Sequence, residues 1–82
     1  MHYVYIVKCS DQTLYCGYTT DLNRRVGEHN EGKIGASYTK SRRPVKLVYS
    51  EKLNSKGEAL RREIEIKKMT RKKKLELIGG NK

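Results

Sequence analysis

Phenylalanine and tryptophan are absent from the 82 residues, so all six aromatic side chains are tyrosines. Cysteine is scarce as well: Cys9 and Cys16 make no CxxC pair and have no third or fourth thiol. That spacing argues against a structural zinc site and leaves each thiol as a small buried hydrophobe. No apolar run approaches bilayer-spanning length, and the chain starts directly on strand-like residues with no secretory leader. These absences predict a reducing, cytoplasmic setting with free thiols and no membrane partner. Acidic residues are few: nine Asp and Glu stand against nineteen Lys and Arg, a formal charge of +10. A surplus of this size concentrates polyanions near the protein and speeds encounter, so nucleic acid is the default partner. A basic solubilising surface or a ribosome-associated protein would show the same balance.

The chain reads as one domain over residues 1–82, long enough for a single modest core. Its 35% hydrophobic content, with seven glycines, keeps the 34% charged fraction compatible with folding. Residues 2–9 and 13–19 are rich in Tyr, Val, Ile and Thr and flank a turn at Ser10-Asp11-Gln12-Thr13, the pattern of a hairpin. Both strands carry apolar residues at odd and even positions, so helices are expected on both faces of the sheet. Tyr5 and Tyr15 share a face only if the loop has an odd number of residues.

A helix is predicted from the Asp21 cap to about Asn30, packing through Leu22 and Val26, with Arg25 and His29 four apart on one edge of that face. Gly27 weakens it by about 1 kcal/mol relative to Ala, and close packing is the reason to expect glycine there. From Glu31 to Pro44 runs a loop whose Lys33, Tyr38, Lys40, Arg42 and Arg43 suit a sugar-phosphate backbone and a stacked base, or simply water. A third strand is expected over Val45 to Tyr49. Ser55-Lys56-Gly57-Glu58 has capping-box spacing and predicts a second helix through Lys68 or Met69, with Ala59, Ile66 and Met69 on its inner stripe and Leu60 and Ile64 widening it. That spacing brings Glu63 to the sheet, with an i,i+4 pair to Lys67 as its simplest alternative use. A last helix is expected from Arg71 to Ile78, capped by Thr70 and stopped by Gly79-Gly80. Lys67, Lys68, Arg71, Lys72, Lys73 and Lys74 form a basic cluster able to neutralise phosphates or to remain a solvated face.

Tyr3-Val4-Tyr5, Tyr15-Cys16-Gly17, Leu22-x-x-Arg25-x-x-x-His29 and the helix opening at Glu58 and carrying Glu63 form an ordered series. It resembles the GIY-YIG nuclease superfamily, closest to the small stand-alone, single-domain bacterial members. The resemblance implies an α/β (α+β) fold, a small three-stranded antiparallel sheet flanked by helices, with the catalytic core at about 3–70 and a basic helix at about 70–80. It also implies a metal-dependent DNA endonuclease leaving a 5′-phosphate and a 3′-hydroxyl, acting on branched or damaged DNA in repair or recombination. DNA is then favoured over RNA, and a monomer over an oligomer.

By the same resemblance, Tyr5 is general base to the attacking water and Tyr15 orients the water or a phosphate oxygen. Arg25 stabilises developing charge, His29 contacts phosphate or shares proton transfer, and Glu63 holds one Mg2+ or Mn2+ ion. Tyr3, Val4, Cys16 and Gly17 complete the two strand motifs. The chain departs from the pattern at Tyr3, where the name-giving glycine would stand, and at Tyr18, where several relatives carry a lysine near the scissile phosphate. The alternative is a DNA- or RNA-binding module with the same fold and no turnover.

Overall fold

The computed structural model describes residues 1–31 and 41–80 of the chain. Three strands, β1 (His2–Lys8), β2 (Leu14–Thr19) and β3 (Lys46–Leu53), form an antiparallel sheet in the order β2-β1-β3. Three helices among the described residues accompany it: α1 (Leu22–Glu31), α2 (Lys56–Lys67) and α3 (Arg71–Gly80). The central strand has its middle residues buried on both faces because helices cover both. Val4, Ile6, Cys16 and Tyr49 pack with Ala59 and Ile66 of α2, and Leu77 and Ile78 of α3 close that layer. Tyr5, Val7, Cys9 and Val45 pack on the other face with Leu22 and Val26 of α1. No helix among the described residues is long and apolar enough to cross a membrane.

The hairpin has the odd loop that the site requires. Cys9 N–H donates to Thr13 O at 2.8 Å and Gln12 N–H to Cys9 O at 2.9 Å, leaving Ser10, Asp11 and Gln12 as the loop. Gln12 takes φ of 73°, the left-handed position that closes a three-residue turn. Pairing of Tyr5 with Gly17 and Val7 with Tyr15 follows, so both tyrosines lie on the α1 face.

Helix starts follow their caps. Asp21 Oδ1 accepts from Arg24 N–H at 3.1 Å, Ser55 Oγ from Glu58 N–H at 3.1 Å and Thr70 Oγ1 from Lys73 N–H at 3.2 Å. Four expectations need correction. Strand β3 runs on to Leu53, because Ser50, Glu51 and Lys52 pair with β1 backbone groups that require partners whatever the side chains. Helix α3 continues through Gly80, since no described glycine adopts the positive φ that would end it. Leu60 and Ile64 are exposed, not packed. Gly27 is not tightly packed either: a Cβ there would meet nothing within 4 Å.

One network escaped the sequence. Arg62 of α2 grips Glu51 of β3 through Nε at 3.0 Å and a terminal nitrogen at 2.8 Å, while the Tyr49 hydroxyl donates to the same carboxylate. Burial alone would raise the Glu51 carboxyl, but the bonds from Arg62 and Tyr49 outweigh it and hold the group below its ordinary range. The two-pronged contact fixes α2 against the sheet.

Since Gly27 points into open space on an exposed helix face, Gly27→Ala is expected to raise stability by about 0.5–1 kcal/mol in urea unfolding. A loss of stability would show that glycine is needed there for packing after all.

Candidate active site

Tyr5 stands at the middle of the central strand and projects toward α1, where its hydroxyl meets His29 Nε2 at 2.7 Å. Both side chains are fully buried. His29 sits one turn beyond Arg25, so the guanidinium reaches the same hydroxyl and also pairs with Glu28 Oε1 at 3.0 Å. Tyr15 completes the group, its ring edge-on to His29 with centroids 5.3 Å apart. The structure thus gathers Tyr5, Tyr15, Arg25 and His29, and among them Arg25 (23% exposed) and Tyr15 are the members open to solvent.

The close approach of Tyr5 to β2 depends on Gly17. A Cβ at that position would stand 2.5 Å from the Tyr5 hydroxyl oxygen and 2.7 Å from Cζ. The phenol therefore lies across the strand where a side chain would be, and glycine is required there for space.

Burial pushes the Tyr5 phenol up to about 12, more than the Arg25 bond and charge pull it down. Tyr5 thus gives up its proton less readily than a phenol in water, opposite to what a phenol acting alone as base needs. Burial and then the nearby Arg25 charge hold His29 below its ordinary 6.5, so its ring is neutral at pH 7. A protonated phenol facing a neutral imidazole makes Tyr5 O–H the donor and His29 Nε2 the acceptor.

Other motif positions are placed elsewhere. Tyr3 lines a hollow of about 280 Å³ with Thr20, Asp21, Leu22 and Asn23 beside the start of α1. Val4 and Cys16 are core residues of the α2 layer. Burial pushes the Cys16 thiol up to about 11, with the Glu63 charge adding to it. Tyr18 pairs with Val4 and so faces the α2 layer, its hydroxyl 2.9 Å from His2 Nδ1. It does not share the face that holds Arg25.

Glu63 belongs to the α2 layer too, 17% exposed and 3.1 Å from Lys67 Nζ. It acts on Cys16, which packs in the α2 layer, whereas Tyr15 packs in the α1 layer, so this carboxylate approaches the outer strand β2 from the side opposite Tyr15. Among the described residues no three His, Cys, Asp or Glu side chains gather into a metal cage. A single carboxylate suits a cation that keeps most of its water and completes its shell on phosphate, as magnesium does; it does not suit zinc.

The expected backbone-gripping arginines are occupied in the architecture. Arg42 pairs with Asp11 at 3.0 Å, and its carbonyl accepts from Ser10 N–H at 3.0 Å, joining this segment to the hairpin tip. Arg43 donates to the carbonyls of His29 and Glu28 at the end of α1, and the Asn30 amide bonds both backbone groups of Val45, at 3.0 and 2.6 Å. These roles carry no signal in the sequence, since any Arg in a loop looks like a surface charge. Lys33, Tyr38 and Lys40 lie outside the described residues. Lys67, Lys68, Arg71, Lys72 and Lys73 are exposed and Lys74 is half-buried. They surround the start of α3, which has no acid in its first turn and no base in its last.

Comparison with known proteins places this geometry. The model of the GIY-YIG catalytic domain matches residues 1–76. A UPF0213 protein of Syntrophus aciditrophicus is 58% identical over 80 residues, covering 98% of this chain and 92% of its own. One from Staphylococcus aureus is 64% identical over 77 residues, covering 94% and 93%. The solution structure of a UPF0213 protein from Bacillus halodurans superposes with a TM-score of 0.64 at 48% identity, covering 98% of this chain and 84% of that one. A second solution structure, from E. faecalis, gives 0.66 at 41% identity, covering 96% and 83%.

Gly17→Ala must push the Tyr5 ring off His29, so it is expected to cost about 2 kcal/mol or more in urea unfolding. Unchanged stability and unchanged His29 ring resonances would overturn that account. His29 also makes stability depend on pH. Its folded value is depressed, so its contribution is complete above the unfolded 6.5 and is lost as pH falls through the folded value. Between about pH 7.5 and 5.5 the wild-type Tm should fall further than that of His29→Gln; equal falls would exclude His29 as the source.

Proposed function

Because the chain belongs to the GIY-YIG catalytic domain family, together with the UPF0213 proteins, we propose that it is an endonuclease that hydrolyses phosphodiester bonds in DNA with the help of one divalent ion. The observation that carries this reading is the buried Tyr5–His29 hydrogen bond with Arg25 laid against it. Two neutral proton carriers in line behind an arginine form a relay: as Tyr5 takes a proton from water, its own passes to His29 Nε2. Arg25 is the part of this relay that solvent touches, so the Tyr5 oxygen lies one guanidinium away from an incoming phosphate. Its fork of donors suits the equatorial oxygens that gain charge as water attacks phosphorus and the bond to the 3′ oxygen breaks. Tyr15, half-buried beside His29, would orient the water or a phosphate oxygen in this reading.

Glu63 would hold magnesium or manganese, which when bound neutralises the cut phosphate and the leaving oxygen. Glu63 and Tyr15 come from opposite layers, but β2 is an edge strand, and a phosphate lying along that edge touches both sides of the sheet. The charges around α3 support nucleic acid as the partner. Arg71, Lys72, Lys73 and Lys74 occupy the positive end of the helix dipole, where each cation is unfavourable by about 0.3–1 kcal/mol unless an anion is near. A phosphate backbone supplies that anion. Branched or distorted DNA is the preferred substrate in this reading, because among the described residues every helix packs on the sheet and none stands apart as a groove reader.

The sealed position of Tyr5 and His29 favours a second reading, a binding module without turnover. Magnesium-dependent cleavage of a panel of duplex, flapped and branched substrates separates the two. Arg25→Ala is expected to lower kcat by about 10²–10³, with Tyr5→Phe and Glu63→Ala impaired beside it. Equal nicking by all variants would mean a contaminant, and binding without cleavage by any protein, wild type included, would establish the module.

A further inference from the structure

Glu63 has a second property that no metal role explains: it already holds a cation. Its carboxylate is 17% exposed and rests 3.1 Å from Lys67 Nζ, whereas Lys67 is 52% exposed on a flexible stem one turn along α2. A carboxylate so withdrawn from water needs a counter-charge, and the chain supplies one from its own helix. We propose that Lys67 is the exchangeable counter-ion of Glu63, displaced when a divalent cation takes the carboxylate and then passed to the phosphate lying along β2. The inference rests on the metal role proposed for Glu63 and adds a phosphate-binding residue to that site.

An ammonium and a divalent ion cannot share one half-buried carboxylate without strong mutual repulsion, so one must leave. Where it goes is set by what surrounds it. Lys67 already lies within electrostatic reach of Tyr15 and Cys16, two residues of the edge strand β2. Lys74 is a second cation in reach of Cys16 among the described residues. A released Lys67 is repelled by the bound ion and by Lys74, which also acts on Cys16, and a phosphate lying along β2 would be the anion that receives it. No bond is made or broken; a cation changes partner. Lys68, the next residue, closes α2 as its C-cap and makes no ion pair with Glu63.

Manganese affinity, read by electron paramagnetic resonance without nucleic acid, tests the exchange. Lys67→Met keeps the stem and removes the competitor, so it is expected to bind the ion roughly three- to five-fold more tightly than wild type. Lys68→Met should change affinity by less than half as much. A second readout uses an uncleavable phosphorothioate duplex: Lys67→Met should weaken its binding more with manganese than with chelator present. Equal manganese affinity in wild type and Lys67→Met, with the ion lost in Glu63→Gln, overturns the exchange while leaving the metal site standing. Manganese binding that Glu63→Gln leaves unchanged overturns the metal role itself.

Discussion

The hydrogen bond between Tyr5 and His29 is the constraint around which the α1 side of the molecule is arranged. Neither group is tolerable alone in a fully buried position, because an unpaired phenol or imidazole there costs about 1–3 kcal/mol. Together they satisfy each other and fix the distance between the central strand and the end of α1. Leu22 and Val26 add apolar contact at the other end of the same helix, so α1 is held to the sheet by oil at its start and by a polar bond at its finish. That division places Arg25, midway, where its head group can rest on the phenol and still touch water.

The constraint propagates through three small devices. The odd hairpin loop puts Tyr15 on the correct face, Gly17 makes room for the Tyr5 ring, and Arg43 with Asn30 anchors the end of α1 to the segment that enters β3. The same segment is tied to the hairpin tip through Arg42 and Asp11. Residues 42–45 thus connect the loop of one strand pair, the end of a helix and the start of the last strand. Of the two arginines expected at a nucleic-acid backbone, Arg43 holds the carbonyls of Glu28 and His29 and Arg42 ties the segment to the hairpin tip.

Much of the fold was legible because its signals are local. Caps at Asp21, Ser55 and Thr70 announce helices through side chain-to-backbone geometry that needs only neighbouring residues. Apolar residues at both parities of β1 announced cover on both faces. What stayed hidden depends on partners distant in sequence. The length of β3 is set by backbone pairing, which polar Ser50 and Lys52 do not advertise. The grip of Arg62 on Glu51 spans two elements, and nothing in either segment suggests the other. For the site, the family resemblance pointed to the tyrosines, arginine and histidine, which residue types alone do not single out. It could not show that burial would leave the phenol a weak proton donor, because desolvation belongs to the folded environment and to no single residue.

The ring of Tyr5 fills the volume that a side chain at position 17 would claim, so the two positions act as one steric unit divided between two strands. Evolutionary drift at either is thereby linked to the other: an enlargement at 17 is admissible only in a lineage that has first surrendered the aromatic ring at 5. Such a lineage would also give up the acceptor's partner at His29, and with it the reason for a histidine in the interior. A chain of this architecture that loses its chemistry should therefore lose the glycine, the tyrosine and the histidine as a correlated set.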